Sequence, residues 1–403
     1  MIVEAPRARD VPAGRRFEAR VRWEGPWRGP ERVWFDVGGD LAADADARAE
    51  AFLVAVAPTA VWVGEPRVVV EAPVCPRLVE GVRDAMRVLS TWWPRCVPVP
   101  VEPAGGRDAL RPRLPRRAAV FLSGGVDSLS LLRANRLAHP LDHPASFADG
   151  VLLFGWHEAD VDPTTDAPRP ERLAAFEATH ARLRAFARAQ GLDPLVVRTN
   201  ARRLHPDHAM SVGVGFGAGM LAAAHLFPRR LTEVGYASSG LGPSAPPHGS
   251  HPLLDPCWSS GAVEVLVGEP FTPREEKLAR LAAWRDGLEA LHVCLLHDLP
   301  PDGRANCGRC EKCLRTRLGL AALGVAPLPA SLGGGSVTVE QAEAFRPSGP
   351  LQAALARDLA DALARAGRHD LAVVVARKAA AAHRRSRRRG RWWYRAWRRL
   401  RGR

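Results

Sequence analysis

The stretch from Ala118 to Leu132, A-A-V-F-L-S-G-G-V-D-S-L-S-L-L, constrains this chain more than any other. Ala118 to Leu122 is a short apolar run with the length and bounding residues of a buried parallel strand. It stops at Ser123-Gly124-Gly125, and from Ser128 the apolar spacing turns helical. A strand passing through a tight glycine turn into a helix N-terminus makes an anion site. Backbone N–H groups point outward, the helix dipole adds partial positive charge, and glycines let a phosphate approach the backbone. Within Ser123, Gly124, Gly125, Val126, Asp127 and Ser128, two hydroxyls and a carboxylate can bond phosphate oxygens or hold Mg²⁺. The string is neither G-x-G-x-x-G nor G-x-x-x-x-G-K-S/T, which sets aside the Rossmann and Walker readings. A strand–helix turn without a ligand is the bland alternative.

At 403 residues the chain is long enough for a full core and two or three structural units. Its hydrophobic fraction of 46% and charged fraction of 25% are those of an ordinary globular protein. No apolar run approaches the roughly 18–20 residues of a membrane span. The first residues, M-I-V-E-A-P-R-A-R-D, carry no signal-peptide core, so a cytoplasmic location is expected. The net charge of +14 is uneven: Arg384 to Arg403 holds eleven arginines and no acid, leaving the rest near +3. Lys277, Lys312 and Lys378 are the only lysines, so arginine abundance reads as coding bias.

Residues 1–112 read as a separate β-rich unit, with strand patterns at Phe17–Trp23, Val33–Val37, Ala51–Val56 and Val68–Val70 and one helix near Leu78–Thr91. A proline-rich linker follows from Val97 to Pro115. Residues 113–330 alternate strand and helix: strands at 118–122, 151–154, 195–198 and 231–237, helices after the glycine turn and at 171–190 and 210–226. That order implies an α/β domain, a parallel sheet with helices on both faces. Ligands in such sheets sit beyond the strand C-termini, which brings Ser123–Ser128, Gly155–Asp160, Thr199-Asn200 and Ser238-Ser239 to one edge. Helices near Arg274–Leu291 and Cys313–Leu323 follow. A helical segment, 331–383, leads into the Arg/Trp-rich tail, 384–403.

Asn306-Cys307-Gly308-Arg309-Cys310-Glu311-Lys312-Cys313 gives C-x2-C-x2-C, with Cys294 upstream. Four thiolates, three on a tight turn at a helix entry, suit tetrahedral Zn²⁺ in a closed knuckle. An iron–sulfur cluster shares these spacings, and three unrelated buried cysteines are the bland alternative. Cys75, Cys96 and Cys257 read as small buried apolar residues.

S-G-G-V-D-S resembles the S-G-G-x-D-S signature of the PP-loop ATP pyrophosphatases, of the adenine nucleotide alpha hydrolase-like fold. Those enzymes cleave ATP between the α and β phosphates and adenylylate a substrate oxygen. With the cysteine cluster near the domain's end, residues 116–325 are similar to 7-cyano-7-deazaguanine synthase, which makes a nitrile from a carboxylate, ammonia and ATP. The resemblance implies that Ser123, Gly124, Gly125, Asp127 and Ser128 hold pyrophosphate and Mg²⁺, and that Cys294, Cys307, Cys310 and Cys313 bind zinc. Three departures mark the chain. Its spacing from first to second cysteine is longer, Phe154-Gly155-Trp156-His157 replaces the family's tyrosine-glycine-glutamine, and the family lacks an N-terminal β-domain.

Gly249-Ser250-His251-Pro252-Leu253-Leu254-Asp255-Pro256 lies where a substrate lid would sit, and His251 and Asp255 could orient substrate or move protons. An ordinary turn with a solvated histidine is equally compatible. Arg274 and Lys277, three apart at a helix start, could neutralise phosphate or form a solvated face. His157, Glu158 and Asp160 fall where an adenine or metal contact would lie, beside Gly155. The expected activity is AMP- and pyrophosphate-forming activation of a carboxylate or carbonyl oxygen of a small molecule, followed by attack of a nitrogen nucleophile. No glutaminase Cys/His pair is visible, so ammonia or a nitrogen-donor partner supplies the nitrogen. Alternatives are a tRNA-modifying thiolase or ligase of the same class and a non-catalytic zinc-stapled nucleotide-binding protein. Trp392, Trp393, Trp397 and Leu400 form a stripe among the tail arginines. An anionic membrane surface, nucleic acid, and a disordered terminus are its three readings. A peripheral place at the inner membrane face and a homo-oligomer are both compatible with the sequence.

Overall fold

The computed structural model describes residues 1–403 except 109–110, 112–114, 243–244, 295–304 and 402–403, and leaves out the side chains of Asp40, 349–351 and 386–401. Its contacts divide it into two compact units, one of Met1–Ser123 and Asp127–Arg274, the other of Gly124–Val126 and Glu275–Arg403. The first is α/β and the second is helical.

The first unit opens with β1 (Ile2–Val3), β2 (Arg7–Val11), β3 (Gly14–Arg22) and β4 (Arg32–Val37). After α1 (Ala49–Val63), β5 (Val68–Val70), α2 (Pro76–Trp92) and β6 (Val101–Pro103) follow. Then β7 (Ala118–Phe121), α3 (Val126–Ala138), β8 (Phe147–Phe154), α4 (Pro170–Ala189) and β9 (Asp193–Thr199) alternate. The next helical run starts as α5 (His208–Met210), passes a π-helical turn at Ser211–Gly215, and continues as α6 (Phe216–Leu221). β10 (Glu233–Ala237) and β11 (Glu264–Gly268) complete the unit.

The strands form one mixed sheet, β11-β10-β7-β8-β9-β4-β3-β1-β5-β6, with β2 on β3. From β11 to β9 every neighbour is parallel. β7, β8 and β9 progress one way from the first core strand, and β10 and β11 lie on its other side. The order therefore reverses at β7, and the crevice beyond the carboxyl end of a reversal strand is where open α/β sheets bind ligands.

Residues 1–112, expected to stand apart, contribute six strands but also two long helices, and they share this sheet. β4 pairs antiparallel with β9. Asn200 locks the join: fully buried, its Oδ1 accepts the Trp34 N–H at 2.9 Å and its Nδ2 donates to Arg32 O at 2.8 Å. Ala51–Val56 belongs to α1, not to a strand. Every residue from Ala49 to Trp62 is buried, so the apolar run shows neither a helical nor a strand period.

Glycine spacing lets the helices approach the core strands. A Cβ at Gly268 would lie 2.4 Å from Leu131 of α3, and one at Gly235 would lie 2.7 Å from Phe147. Behind β7 and β8, the buried Asp149 carboxylate accepts from Arg117 Nε at 2.6 Å and Arg230 Nε at 2.8 Å. Both arginines also reach Asp193 at 2.6 Å, so the buried charge is fully matched. The helical run over His208–Leu226 is long and apolar enough to cross a membrane, but 78% of it is buried inside the protein.

The second unit contains α7 (Arg274–Ala282) from Glu275 on, α8 (Arg285–Glu289), α9 (Glu311–Ala322), α10 (Val339–Ala344), α11 (Gly349–Arg365) and α12 (His369–Arg401). The expected helical stretch after 331 is thus three helices. Phe345 leaves the helical region at the end of α10, and Gly367, at φ +74°, breaks α11 from α12.

Candidate functional site

β7 is buried along its length, and the Leu122 N–H donates to Val151 O at 2.9 Å, which carries the chain straight to the glycine turn. Gly124 sits at φ +73°, a left-handed conformation that suits glycine. Its carbonyl accepts the His292 N–H at 2.8 Å, and a Cβ there would lie 3.1 Å from the His292 Cβ. Val126 is buried and roots the start of α3, while Asp127 lies in its first turn. The Ser123 and Ser128 hydroxyls are 3.1 Å apart, and Arg274 Nη1 lies 3.5 Å from the Asp127 carboxylate. Two hydroxyls, a carboxylate and a guanidinium therefore gather at a helix start beyond the reversal strand.

The neighbouring loops are built differently. Gly155, at φ +94°, is required because a Cβ would meet Thr199 O at 1.7 Å. That explains the glycine by strand closure rather than by a ligand. Asp160 is buried, accepts the His157 N–H at 2.9 Å and holds Arg172 at 3.3 Å, whereas Glu158 is exposed beside Arg202.

The Gly249–Asp255 loop is seated on the π-helical turn. A π turn skips the usual i−4 bond and frees backbone groups. Here the Val212 carbonyl accepts the Gly249 N–H at 2.8 Å and the Gly217 N–H donates to Gly249 O at 2.7 Å. Gly217 lets the loop approach, and glycines at 213, 215 and 219 do the same for other neighbours of this helical run. Cβ atoms added at 213, 215, 217 and 219 would meet Trp93 at 3.1 Å, His205 at 2.5 Å, Asp255 Oδ1 at 2.5 Å and Trp156 at 2.2 Å respectively. Sequence reasoning missed this seat, although glycine at every second position of a helical run is an available sign of close contact.

His251 is buried, not solvated. Its Nδ1 accepts the Leu253 N–H at 3.1 Å, its Nε2 lies 3.2 Å from Ala245 O, and its ring stands edge-on to Trp92. With Nδ1 accepting, Nε2 carries the proton and donates, so both nitrogens hold the loop. Asp255 is buried too, and accepts from Ser250 Oγ at 2.8 Å. Among the described residues no donor reaches its Oδ1. Burial pushes this carboxyl up to about 7, against the lowering effect of the Ser250 bond. Burial and the nearby Asp255 also raise the Tyr236 phenol at the end of β10. Lys277 is wholly buried on α7, which removes the solvated-face reading for it.

In the second unit the sulfurs of Cys294, Cys307, Cys310 and Cys313 all lie within 4.8 Å of one another, close enough to hold one metal ion such as zinc. Cys307 and Cys313 are 3.9 Å apart, and the Cys310 N–H donates to Cys307 Sγ at 3.3 Å. Gly308, at φ +71°, lets the chain turn between them. Mutual proximity to Cys294, then burial, raises the Cys313 thiol, and burial first raises Cys307. Crowded thiols of this kind release their protons when a cation replaces them. The buried Asn306 clamps the arrangement: its Oδ1 accepts the Val293 N–H at 2.8 Å, and its Nδ2 donates to Leu291 O at 2.7 Å and Ser331 O at 2.8 Å. It fixes the segment that delivers Cys294, a role the motif alone did not reveal.

In comparisons with family models, curated proteins and solved structures, the chain matches none.

Proposed function

We propose that this protein is a PP-loop-type ATP pyrophosphatase. In this reading an oxygen of a substrate carboxylate or carbonyl attacks the α-phosphorus of ATP, and the bond to the β-phosphate oxygen breaks to expel pyrophosphate. A nitrogen nucleophile then adds to the activated carbon, and AMP leaves with the former substrate oxygen. The observation that carries the reading is the S-G-G-V-D-S turn at the carboxyl end of β7, the strand at which a parallel order reverses. Backbone N–H groups and the α3 dipole suit pyrophosphate, Ser123 and Ser128 can donate to its oxygens, and Asp127 can carry Mg²⁺. Bound Mg²⁺ would neutralise phosphate charge, and Arg274 supplies a further cation beside Asp127.

Zinc is the proposed metal of the cysteine site. A tetrahedron of ~2.3 Å Zn–S bonds has edges of roughly 3.8 Å, against 3.9 Å between Cys307 and Cys313. In an iron–sulfur cluster the four thiolates are shared among two or four irons, which spreads sulfurs on different irons wider than the 4.8 Å seen here. With four protein ligands the site is closed, so its role is to staple the fold.

A sulfur-transferring alternative needs a reactive thiolate outside the metal site. Burial pushes both Cys96 and Cys257 up to about 11, which opposes that role. The Arg384–Arg403 tail, helical to Arg401 in α12, is proposed to touch an anionic lipid surface from the cytoplasmic side. The test of the catalytic reading is product analysis with α-labelled ATP, Mg²⁺, ammonium and a panel of carboxylates. Label in AMP, with pyrophosphate released, is expected. Label in ADP would remove the assignment, and ATP binding without turnover across the panel would favour a nucleotide sensor.

A further inference from the structure

We propose that the second unit carries an anion site for a small phosphate monoester, separate from the Ser123–Ser128 loop. A cavity of about 460 Å³ lies among Arg309, Leu314, Arg317, Gly335, Ser336 and Gln341. That volume is in the range of small-molecule sites. Among the described residues, no carboxylate lines it.

The lining is rich in donors. Gly333, Gly334 and Gly335 run consecutively at φ +94°, +62° and +63°, an arc that wraps the chain around the cavity. The Gly333 and Gly334 N–H groups return to Ala330 O and Pro329 O at 2.9 and 3.1 Å. Among the described residues, no acceptor takes the N–H groups of Gly335 and Ser336. Buried Arg317 is fixed by Leu332 O and by Gln341 Oε1, the latter at 3.1 Å. The same Gln341 oxygen accepts the Thr338 N–H at 3.3 Å, which leaves the Gln341 amide NH₂ as a donor. Arg309 is exposed, and its guanidinium pairs with no carboxylate among the described residues.

Several neutral donors and two guanidinium groups around one cavity suit a tetrahedral dianion, which accepts from several directions. A planar carboxylate is satisfied by one bidentate guanidinium. Leu314 gives the cavity an apolar wall, so an organic group on the phosphate gains contact that free phosphate does not. The inference does not depend on ATP chemistry, because none of these residues belongs to the proposed nucleotide loop.

The probes are inorganic phosphate, ribose 5-phosphate and acetate, measured by equilibrium dialysis on the full-length protein. Cys307 also lines the cavity, so every sample is metal-loaded and its zinc content checked. Ribose 5-phosphate is expected to bind more tightly than phosphate, and acetate is expected not to displace it at equal concentration. Arg309→Glu and Ser336→Asp should each weaken binding about tenfold or more, with folding and metal content unchanged. The double variant Ser123→Ala/Ser128→Ala should bind as the parent does. Unchanged affinity in both Arg309→Glu and Ser336→Asp would overturn the site. Ribose 5-phosphate binding no tighter than phosphate would overturn the monoester assignment. Loss of binding only in the serine double variant would move the anion to the nucleotide loop and overturn the proposal.

Discussion

The cysteine knuckle and the Gly249–Asp255 loop are both short polar motifs, and they use their polar atoms in opposite ways. In the knuckle, four sulfurs converge within 4.8 Å of one another. In the loop, His251 spends both ring nitrogens on backbone groups, and Asp255 is buried against Ser250 and Gly217. Metal-ligand spacing encodes its own geometry, because a tight turn must bring residues three apart onto one centre. A histidine and an aspartate in a loop encode no such convergence. Their role depends on a seat supplied by the distant Ser211–Gly215 turn.

Removing the metal should have the largest effect. Chelation, or Cys307→Ser, should unfold much of the helical unit, because structural zinc contributes roughly 10 kcal/mol or more to small sites. Loss of helical circular dichroism with release of about one zinc per chain is expected. A brown, iron-containing preparation would contradict the zinc assignment, and a chelated protein with unchanged melting would contradict the structural role.

Asp255 should produce the next largest effect, and its sign is fixed. A carboxyl raised to about 7 when folded and near 3.8 when unfolded binds more protons in the folded state. Its stability contribution is complete below about pH 4 and is lost as pH rises toward 7, by roughly 4 kcal/mol in total. Asp255→Asn should flatten that fall, so the melting temperature of the variant should gain on the parent between pH 5 and 8, conditions taken to span the upper part of that window. A constant difference across that range would contradict a buried, protonatable Asp255. Buried His205 acts on the acid side: depressed to about 3, it costs stability as pH falls below its ordinary 6.5.

The contrast also explains what the sequence made legible. The strand–glycine–helix pattern at Ala118–Leu132 and the cysteine spacing describe local geometry, and both correspond to local features of the structure. β11 went unread because Glu264–Gly268 is short and gains its meaning only by pairing with β10. α1 was misread because burial on all sides erases periodicity. The two glycines of the π turn and the two that follow in α6 are visible as letters, yet their purpose is contact with Trp93, His205, Asp255 and Trp156, which only the fold brings together. Lys277 shows the same limit: helical spacing could not distinguish a solvated lysine from one that is wholly buried.

Smaller effects sharpen the comparison. His251→Ala should lower stability by about 2 kcal/mol through lost ring bonds and the Trp92 contact, a value read from chemical denaturation. If His251 moved protons instead, the variant would keep its stability and lose a pH limb of turnover. A chain ending before Arg384 should keep its fold and its ATP chemistry but lose salt-sensitive sedimentation with anionic vesicles, since surface arginines contribute about 1 kcal/mol each. Equal sedimentation of both forms would rule out the lipid contact.

The central claim is that the turn after β7 holds the polyphosphate of ATP. Titration calorimetry of MgATP and of pyrophosphate into the parent, Asp127→Ala and Gly124→Val tests it most directly. Competitive binding of the two ligands to the parent is predicted, with affinity reduced about tenfold or more in both variants while melting shows them folded. MgATP binding that is unchanged in both variants, or that pyrophosphate does not displace, would contradict the claim.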